Sequence, residues 1–387
     1  LFFLIFLLLY NLFGQIIQRR ELKLGSNKKI FICGGIIGLI AAILMKFGNP
    51  ANMGICIACF YRDIAGALGL HGAETVRYIR PEIIGFIFGG FIAASLKGEF
   101  RSRGGSSPII RFVLSVFLMF GALVFLGCPL RMILRLANGD LNALIGLIGY
   151  VFGIFIGIQF IKKGYSLGKS FNQTKISGYV IPIFAIILLI FLIVKPSFIS
   201  FSTEGPGSMR APIILSLILG IIVGLILQRS RICTAGGFRD VLLIKDYHFL
   251  WGIIGIFIFN LVGNLILNFD TFHIGFANQP IAHTESLWNF LGMSLVGICS
   301  IFLGGCPLRQ TILASEGDTD SGITVFGLIV GAALAHNFQI AASPKGVPFN
   351  GKLAVIIGFI VVLFIGYSVI KNVQGQERVS KEVEKNA

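Results

Sequence analysis

The chain has 387 residues, 55% of them hydrophobic and 13% charged, with a mean hydropathy of +0.88. A soluble domain carries about 25% charged residues, so this composition argues against a soluble protein and for a multi-span helical membrane protein. The net charge of +15 does not read as a nucleic-acid interface, because no aromatic–basic interleaving or zinc-finger spacing accompanies it.

In chain order, apolar runs predict spans over 1–17, 30–47, 82–97, 109–127, 140–161, 179–195, 211–228, 249–267, 287–305, 321–341 and 353–370. The first run is followed by Arg19 and Arg20 rather than preceded by basic residues, the reverse of a cleavable signal. Segments 50–70, 128–138, 232–245 and 306–316 are too short or too polar to cross. Lys and Arg gather in 19–29, 97–111, 162–175, 229–245 and 371–385, whereas 196–209 and 268–286 have none. Eleven spans put every basic cluster on one side, taken as cytoplasmic, with the N-terminus outside and the C-terminus inside.

The chain also repeats itself. Gly127-Cys128-Pro129-Leu130-Arg131 returns unchanged as Gly305-Cys306-Pro307-Leu308-Arg309, and each copy is followed by Gly-Asp (Gly139-Asp140, Gly317-Asp318). Upstream, Ile55-Cys56 precedes Arg62-Asp63 as Ile232-Cys233 precedes Arg239-Asp240. Two elements in the same order at nearly the same spacing mark an internal duplication. The expected organisation is an N-terminal apolar segment and basic linker (1–29), a first repeat (30–161), a linker with one connecting span (162–210), a second repeat (211–341), and a final span with a charged tail (342–387). On the eleven-span topology, Cys56 and Cys128 enter from outside and Cys233 and Cys306 from inside. The repeats are therefore expected to be inverted, a known transporter plan with its site near the midplane.

Gly-Cys-Pro at the end of a span has a mechanical reading. The Gly loosens the helix, and Pro disfavours helix at the Cys before it while suiting the first turn of a new one. Each Cys then stands at a break, facing free N–H groups at a half-helix N-terminus that favour an anion. Such backbone is tolerated at membrane depth only where protein or a water-lined cavity satisfies it. A thiol there is a weak donor suited to a soft atom such as sulfur or selenium. Cys56, Cys128, Cys306, Cys233 and Cys59 are thus the candidate substrate path, whereas Cys33 and Cys299 read as apolar filler. Arg131 and Arg309 either draw an anion or face headgroups. Arg62-Asp63 and Arg239-Asp240 read as structural ion pairs or caps.

Other chemistries find little support. Cys56-Ile57-Ala58-Cys59 is a Cys-x-x-Cys, but Gly236 stands where the second repeat would match Cys59, and no second Cys pair or His cluster completes a zinc site. Neither a metal nor a cofactor is expected. No P-loop is present, because Lys163 occupies the first Gly position before Gly168-Lys169-Ser170. No Asp or Glu falls in the middle of a span, which argues against a carboxylate-coupled carrier. His336, inside a span, reads as a satisfied packing residue.

At these residues the chain resembles the YeeE/YedE sulfur-transport family of prokaryotic inner-membrane proteins, over roughly 30–370. The doubled Gly-Cys-Pro-Leu-Arg carries the resemblance. The stretches Gly48–Phe60, Arg62–His71, Arg80-Pro81-Glu82, Arg103–Pro108 and Ala335-His336-Asn337 are similar to the YedE branch, which is linked to selenium. The resemblance implies an all-α polytopic membrane protein, hourglass-like, in which re-entrant half-helices from both faces meet at a central constriction. It also implies that Cys56, Cys128 and Cys306 pass a substrate by weak thiol contacts to its sulfur. The expected protein is an inner-membrane transporter, not an enzyme, importing a small sulfur- or selenium-containing anion. Gly127, Pro129, Arg131, Gly305, Pro307, Arg309, Arg62, Asp63, Arg239 and Asp240 support the path. Membrane lipid and a cytoplasmic sulfur or selenium carrier protein are the expected partners. A selenium species is favoured over thiosulfate. A membrane thiol oxidoreductase using Cys56 and Cys59 and a passive anion channel are the readings from other classes.

Overall fold

The computed structural model describes residues 26–386, so the predicted span 1–17 and the basic residues Arg19, Arg20 and Lys23 lie outside the described residues. Six helices form the first half: α1 Ser26–Lys46, α2 Ile57–Ala67, α3 Pro81–Leu96, α4 Pro108–Val124, α5 Pro129–Ala137 and α6 Leu141–Lys162. A seventh, α7 Val180–Val194, connects it to a second half with the same pattern. That half holds α8 Ile213–Ser230, α9 Thr234–Ile244, α10 His248–Leu267, α11 Ser286–Phe302, α12 Pro307–Ser315 and α13 Thr319–Asn337, and α14 Phe349–Asn386 follows. The protein is an all-α, polytopic membrane protein. Nine helical segments among the described residues are long and apolar enough to cross a bilayer. The predicted span 179–195 is α7, shorter at 15 residues and preceded by a one-turn helix, Lys175–Gly178.

The sequence dictates where these helices start and stop. Pro occupies the first turn of α3, α4, α5 and α12, where its missing N–H costs no hydrogen bond. The repeated Gly-Asp is a stop followed by a start. Gly139 and Gly317 take left-handed φ of 91° and 95° just after the half-helices, a backbone region open to glycine. Asp140 then accepts from Asn142 N–H at 2.9 Å, and Asp318 accepts from Ser321 N–H at 2.8 Å, capping α6 and α13.

The halves interlock by exchange. Helix α1 packs on α10 as α8 packs on α3, and α4 packs on α13 as α11 packs on α6. The half-helices follow the same rule: α2 meets α13 as α9 meets α6, and α5 meets α10 as α12 meets α3. Small residues make the closest crossings. A side chain at Gly34 of α1 would meet the carbonyl of Gly252 in α10, and one at Gly153 of α6 would meet the carbonyl of Ser294 in α11. Such small-residue approaches are what association inside a bilayer favours. Outward faces carry exposed apolar residues, among them Leu144, Ile148, Phe152 and Phe155 on α6 and Ile183, Ile186 and Ile190 on α7.

The loops join in two sets. On one face, strand Arg103–Gly104 pairs antiparallel with Phe171–Asn172, Arg101 N–H bonds Glu316 O, Gln228 and Arg229 reach Glu99, and Asn27 bonds His248. On the other, Arg77 and Arg80 bond the 202–209 loop, Gly275 pairs with Gly139, Ala211 N–H bonds Asn49, and Asn337 bonds Leu70 O. Helix α7 leaves the first set, where Gln173 N–H bonds Ser102 O, and arrives in the second, where Ser200 N–H bonds Ala67 O.

Candidate functional site

Each re-entrant helix begins at a cysteine in extended backbone. Cys56 (φ −149°, ψ 111°) precedes α2, and its sulfur accepts from Cys59 N–H at 3.3 Å. Cys233 (φ −140°, ψ 123°) precedes α9, and its sulfur accepts from Gly236 N–H at 3.3 Å. A sulfur here does the work usually given to a Ser or Asp oxygen. The second pair of breaks is built as the Pro predicts. Cys128 (ψ 170°) and Cys306 (ψ 165°) are extended, with Pro129 and Pro307 opening α5 and α12.

The structure brings these four cysteines together two by two. Cys56 Sγ lies 3.9 Å from Cys128 Sγ, and Cys233 Sγ lies 3.7 Å from Cys306 Sγ. All four are buried, as is Cys59. Cys56 and Cys128 cap the N-termini of α2 and α5, and Cys233 and Cys306 those of α9 and α12. Two half-helix N-termini therefore converge on each thiol pair, and each offers free N–H groups and a positive dipole end.

The glycines of the motif act differently from the sequence expectation. The left-handed residue of each break is Leu126 (φ 63°) in one half and Gly304 (φ 81°) in the other. Gly127 and Gly305 are needed instead for room. A Cβ on Gly127 would come within 2.9 Å of the Arg131 side chain, and one on Gly305 within 3.2 Å of Arg309.

The two motif arginines have different fates. Arg131 is fully buried; it donates to Asn52 O at 2.8 Å, to Ile281 O at 3.2 Å and to Leu126 O, and reaches Cys59 Sγ at 3.6 Å. Arg309 pairs with Glu316 at 3.3 Å. Arg62 and Asp63 do form a buried ion pair at 2.7 Å. Sequence reasoning missed its third member, Arg80, which binds the other Asp63 oxygen at 2.7 Å. It also missed Arg135, fully buried on Asp140 at 2.7 Å. Arg239 and Asp240 pair at 2.8 Å nearer the surface. Two hydroxyl contacts were not foreseen either. Tyr61 of α2 meets Thr311 of α12 at 3.0 Å, and Tyr150 of α6 meets Thr234 of α9 at 3.3 Å. Both Thr residues sit within five positions of a path cysteine.

Cys299 is buried inside α11 and Cys33 is half-buried on α1. His336 departs from its reading as a satisfied packing residue. Its ring stacks on His71 at 4.6 Å, but its Nε2 is buried with no hydrogen-bond partner. The ring lines a cavity of about 460 Å³ together with Glu285, Lys345 and Val347. Burial alone would raise the Glu285 carboxyl. The Val347 N–H at 2.7 Å and the Lys352 ammonium at 2.9 Å hold it below the usual carboxylate range.

The fold defines a multi-pass helical membrane protein. Residues 229–375 match the family model described as sulphur transport. Two curated relatives are similar over part of their length. The thiosulfate transporter TsuA of Spirochaeta thermophila is 31% identical over 103 residues, covering 27% of this chain and 30% of the relative. The thiosulfate transporter TsuA of Escherichia coli K12 is 27% identical over 129 residues, covering 33% of this chain and 36% of the relative. The chain thus spans about a third of the length of the curated relatives it matches.

Proposed function

We propose that this protein is a transporter, not an enzyme, that imports a small sulfur- or selenium-containing anion across the prokaryotic inner membrane. The observation that carries the reading is the pair of buried dithiol contacts, Cys56–Cys128 and Cys233–Cys306, one per half, each at converging half-helix N-termini. The N-termini favour negative charge, and the thiols offer weak contacts to a soft atom. The path runs from one pair to the other, with Cys59 beside the first. Gly127, Gly305, Pro129 and Pro307 shape the breaks, and the Arg62–Asp63 and Arg239–Asp240 pairs hold the re-entrant helices.

The halves are inverted on this reading. The exchange packing, and the passage of α7 from one set of loops to the other, support a pseudo-two-fold axis in the membrane plane. Lipid covers the outward apolar faces. The basic loops 97–111, 162–175 and 229–245 lie on the cytoplasmic side, where they suit an acidic carrier protein.

A selenium species is our first assignment within the class, supported by the resemblance of Gly48–Phe60 and Arg62–His71 to the selenium-linked branch. Thiosulfate is the second reading, and the names of the two relatives favour it. Parallel uptake of labelled thiosulfate and labelled selenium compounds by cells expressing the chain separates them. Uptake of one label, lost in both Cys128→Ser and Cys306→Ser, supports the path; uptake indifferent to both substitutions removes it. A thiol oxidoreductase predicts that Cys59→Ala abolishes function.

A further inference from the structure

The buried charges of the two halves do not balance alike. In the first half Arg62 and Arg80 share Asp63, and Arg135 binds Asp140. Glu82 is buried on Asn49 and Ser216. Four buried guanidiniums, those of Arg62, Arg80, Arg131 and Arg135, thus face three buried carboxylates, those of Asp63, Glu82 and Asp140. Arg131 is bonded to backbone carbonyls and to Cys59 Sγ. Carbonyls satisfy its N–H groups but leave its charge in place, and an unpaired charge taken out of water is costly. In the second half the matching Arg309 pairs with Glu316, seven residues on. Seven residues after Arg131 stands Asn138, buried and bonded to Asn52 and Thr271 O. At the matching place, then, Arg309 has a carboxylate partner where Arg131 has an amide near by and carbonyls and a thiol as its partners.

Building on the transport reading, we propose that Arg131 is the charge-selecting residue of the anion site at the Cys56–Cys128 pair, and that this pair takes a doubly charged sulfur or selenium oxyanion in preference to a singly charged one. The contacts are contiguous: Arg131 touches Cys59, whose N–H is bonded to Cys56 Sγ, which touches Cys128. A dianion entering there neutralises the buried guanidinium and lies before two half-helix N-termini. At the Cys233–Cys306 pair Glu316 already cancels Arg309, so the dianion is held more weakly. The first pair loads and the second releases.

The test compares two anions with the same terminal sulfur, thiosulfate (two charges) and methanethiosulfonate (one charge). Their labelled uptake is measured at neutral pH in cells expressing the full chain, for wild type, Arg131→Gln, Arg131→Lys and Asn138→Glu. Wild type is expected to prefer the dianion by about tenfold, a free-energy difference near 1.4 kcal/mol. Arg131→Gln should lose most dianion uptake while changing the monoanion little. Arg131→Lys, which keeps the charge, should keep the preference even where the rate falls. Asn138→Glu, which supplies the second repeat's acid, should erase the preference with Arg131 in place. Equal loss of both anions in Arg131→Gln, with the protein at normal membrane level, makes Arg131 a structural brace and overturns the proposal while the transport reading stands. If the variants fail to reach the membrane, wild type decides: no preference between the anions overturns the proposal. Uptake of neither anion by wild type removes the sulfur-anion reading and the proposal together.

Discussion

Cys128 and Cys306 were conspicuous in the sequence because a five-residue word occurs twice. Cys56 and Cys233 were marked by a second repeated element, but the pairing was not legible, since only the fold brings Cys56 within 3.9 Å of Cys128 and Cys233 within 3.7 Å of Cys306. Each separation in sequence exceeds seventy residues, and no local pattern reports such a contact. The same limit hid the role of the arginines. Arg131 and Arg309 sit in identical words, and it is Asn138 against Glu316 that sends one to backbone carbonyls and the other to a carboxylate. Cys128→Ser and Cys306→Ser are predicted to abolish uptake, and Cys59→Ala to leave most of it, as measured with labelled substrate. Asp63→Asn leaves Arg62 and Arg80 buried without their shared acid. Breaking a buried pair costs about 3–5 kcal/mol, so the variant should show a clearly lowered unfolding temperature in detergent. A melting curve matching wild type would contradict the structural role given to that cluster.

The helices were largely legible, because spans are long, apolar and bounded by Pro, Gly and Asp with fixed geometric meanings. All ten predicted spans within the described residues are helices, and the four segments judged too short to cross are where the half-helices lie. The expectation that Gly127 and Gly305 loosen the helix did not locate the turn itself. The chain turns one residue or so earlier, at Leu126 and Gly304, and the motif glycines make room for arginine stems. Helix partners were not legible either, since many glycines offer the same small surface. The close crossing of α6 and α11 at Gly153 gives a test. Gly153→Leu must push the helices apart or distort the backbone, and overpacking costs about 1–3 kcal/mol. Thermal stability in detergent should fall accordingly, whereas Ser170→Cys, on an exposed loop, should leave it unchanged.

For the whole molecule, sidedness depends on one helix. Each half has four long helices, an even number, so the second half is turned over only if the connection between the halves crosses the membrane. Helix α7 has 15 residues, about 22 Å of rise, short for a bilayer core of about 30 Å. With the preceding turn from Lys175 the helical segment is long enough, and its ends bond to opposite sets of loops. Basic-residue counting proposes the inverted topology from the sequence, because Lys and Arg avoid the 196–209 and 268–286 loops. Single cysteines at the exposed positions Ser170 and Thr203, which flank α7, test it with an impermeant maleimide. Thr203→Cys should label in intact cells and Ser170→Cys only after permeabilisation. Labelling of both from one side would contradict the inversion.

The central claim is that a soft anion crosses by way of two buried thiol pairs. The most direct measurement is uptake of labelled thiosulfate and labelled selenium compounds by sulfur-starved cells expressing the chain, beside its Cys128→Ser and Cys306→Ser variants at matched membrane levels. The account predicts uptake of at least one label in wild type and its loss in both variants. Wild-type uptake that persists through either substitution would contradict it.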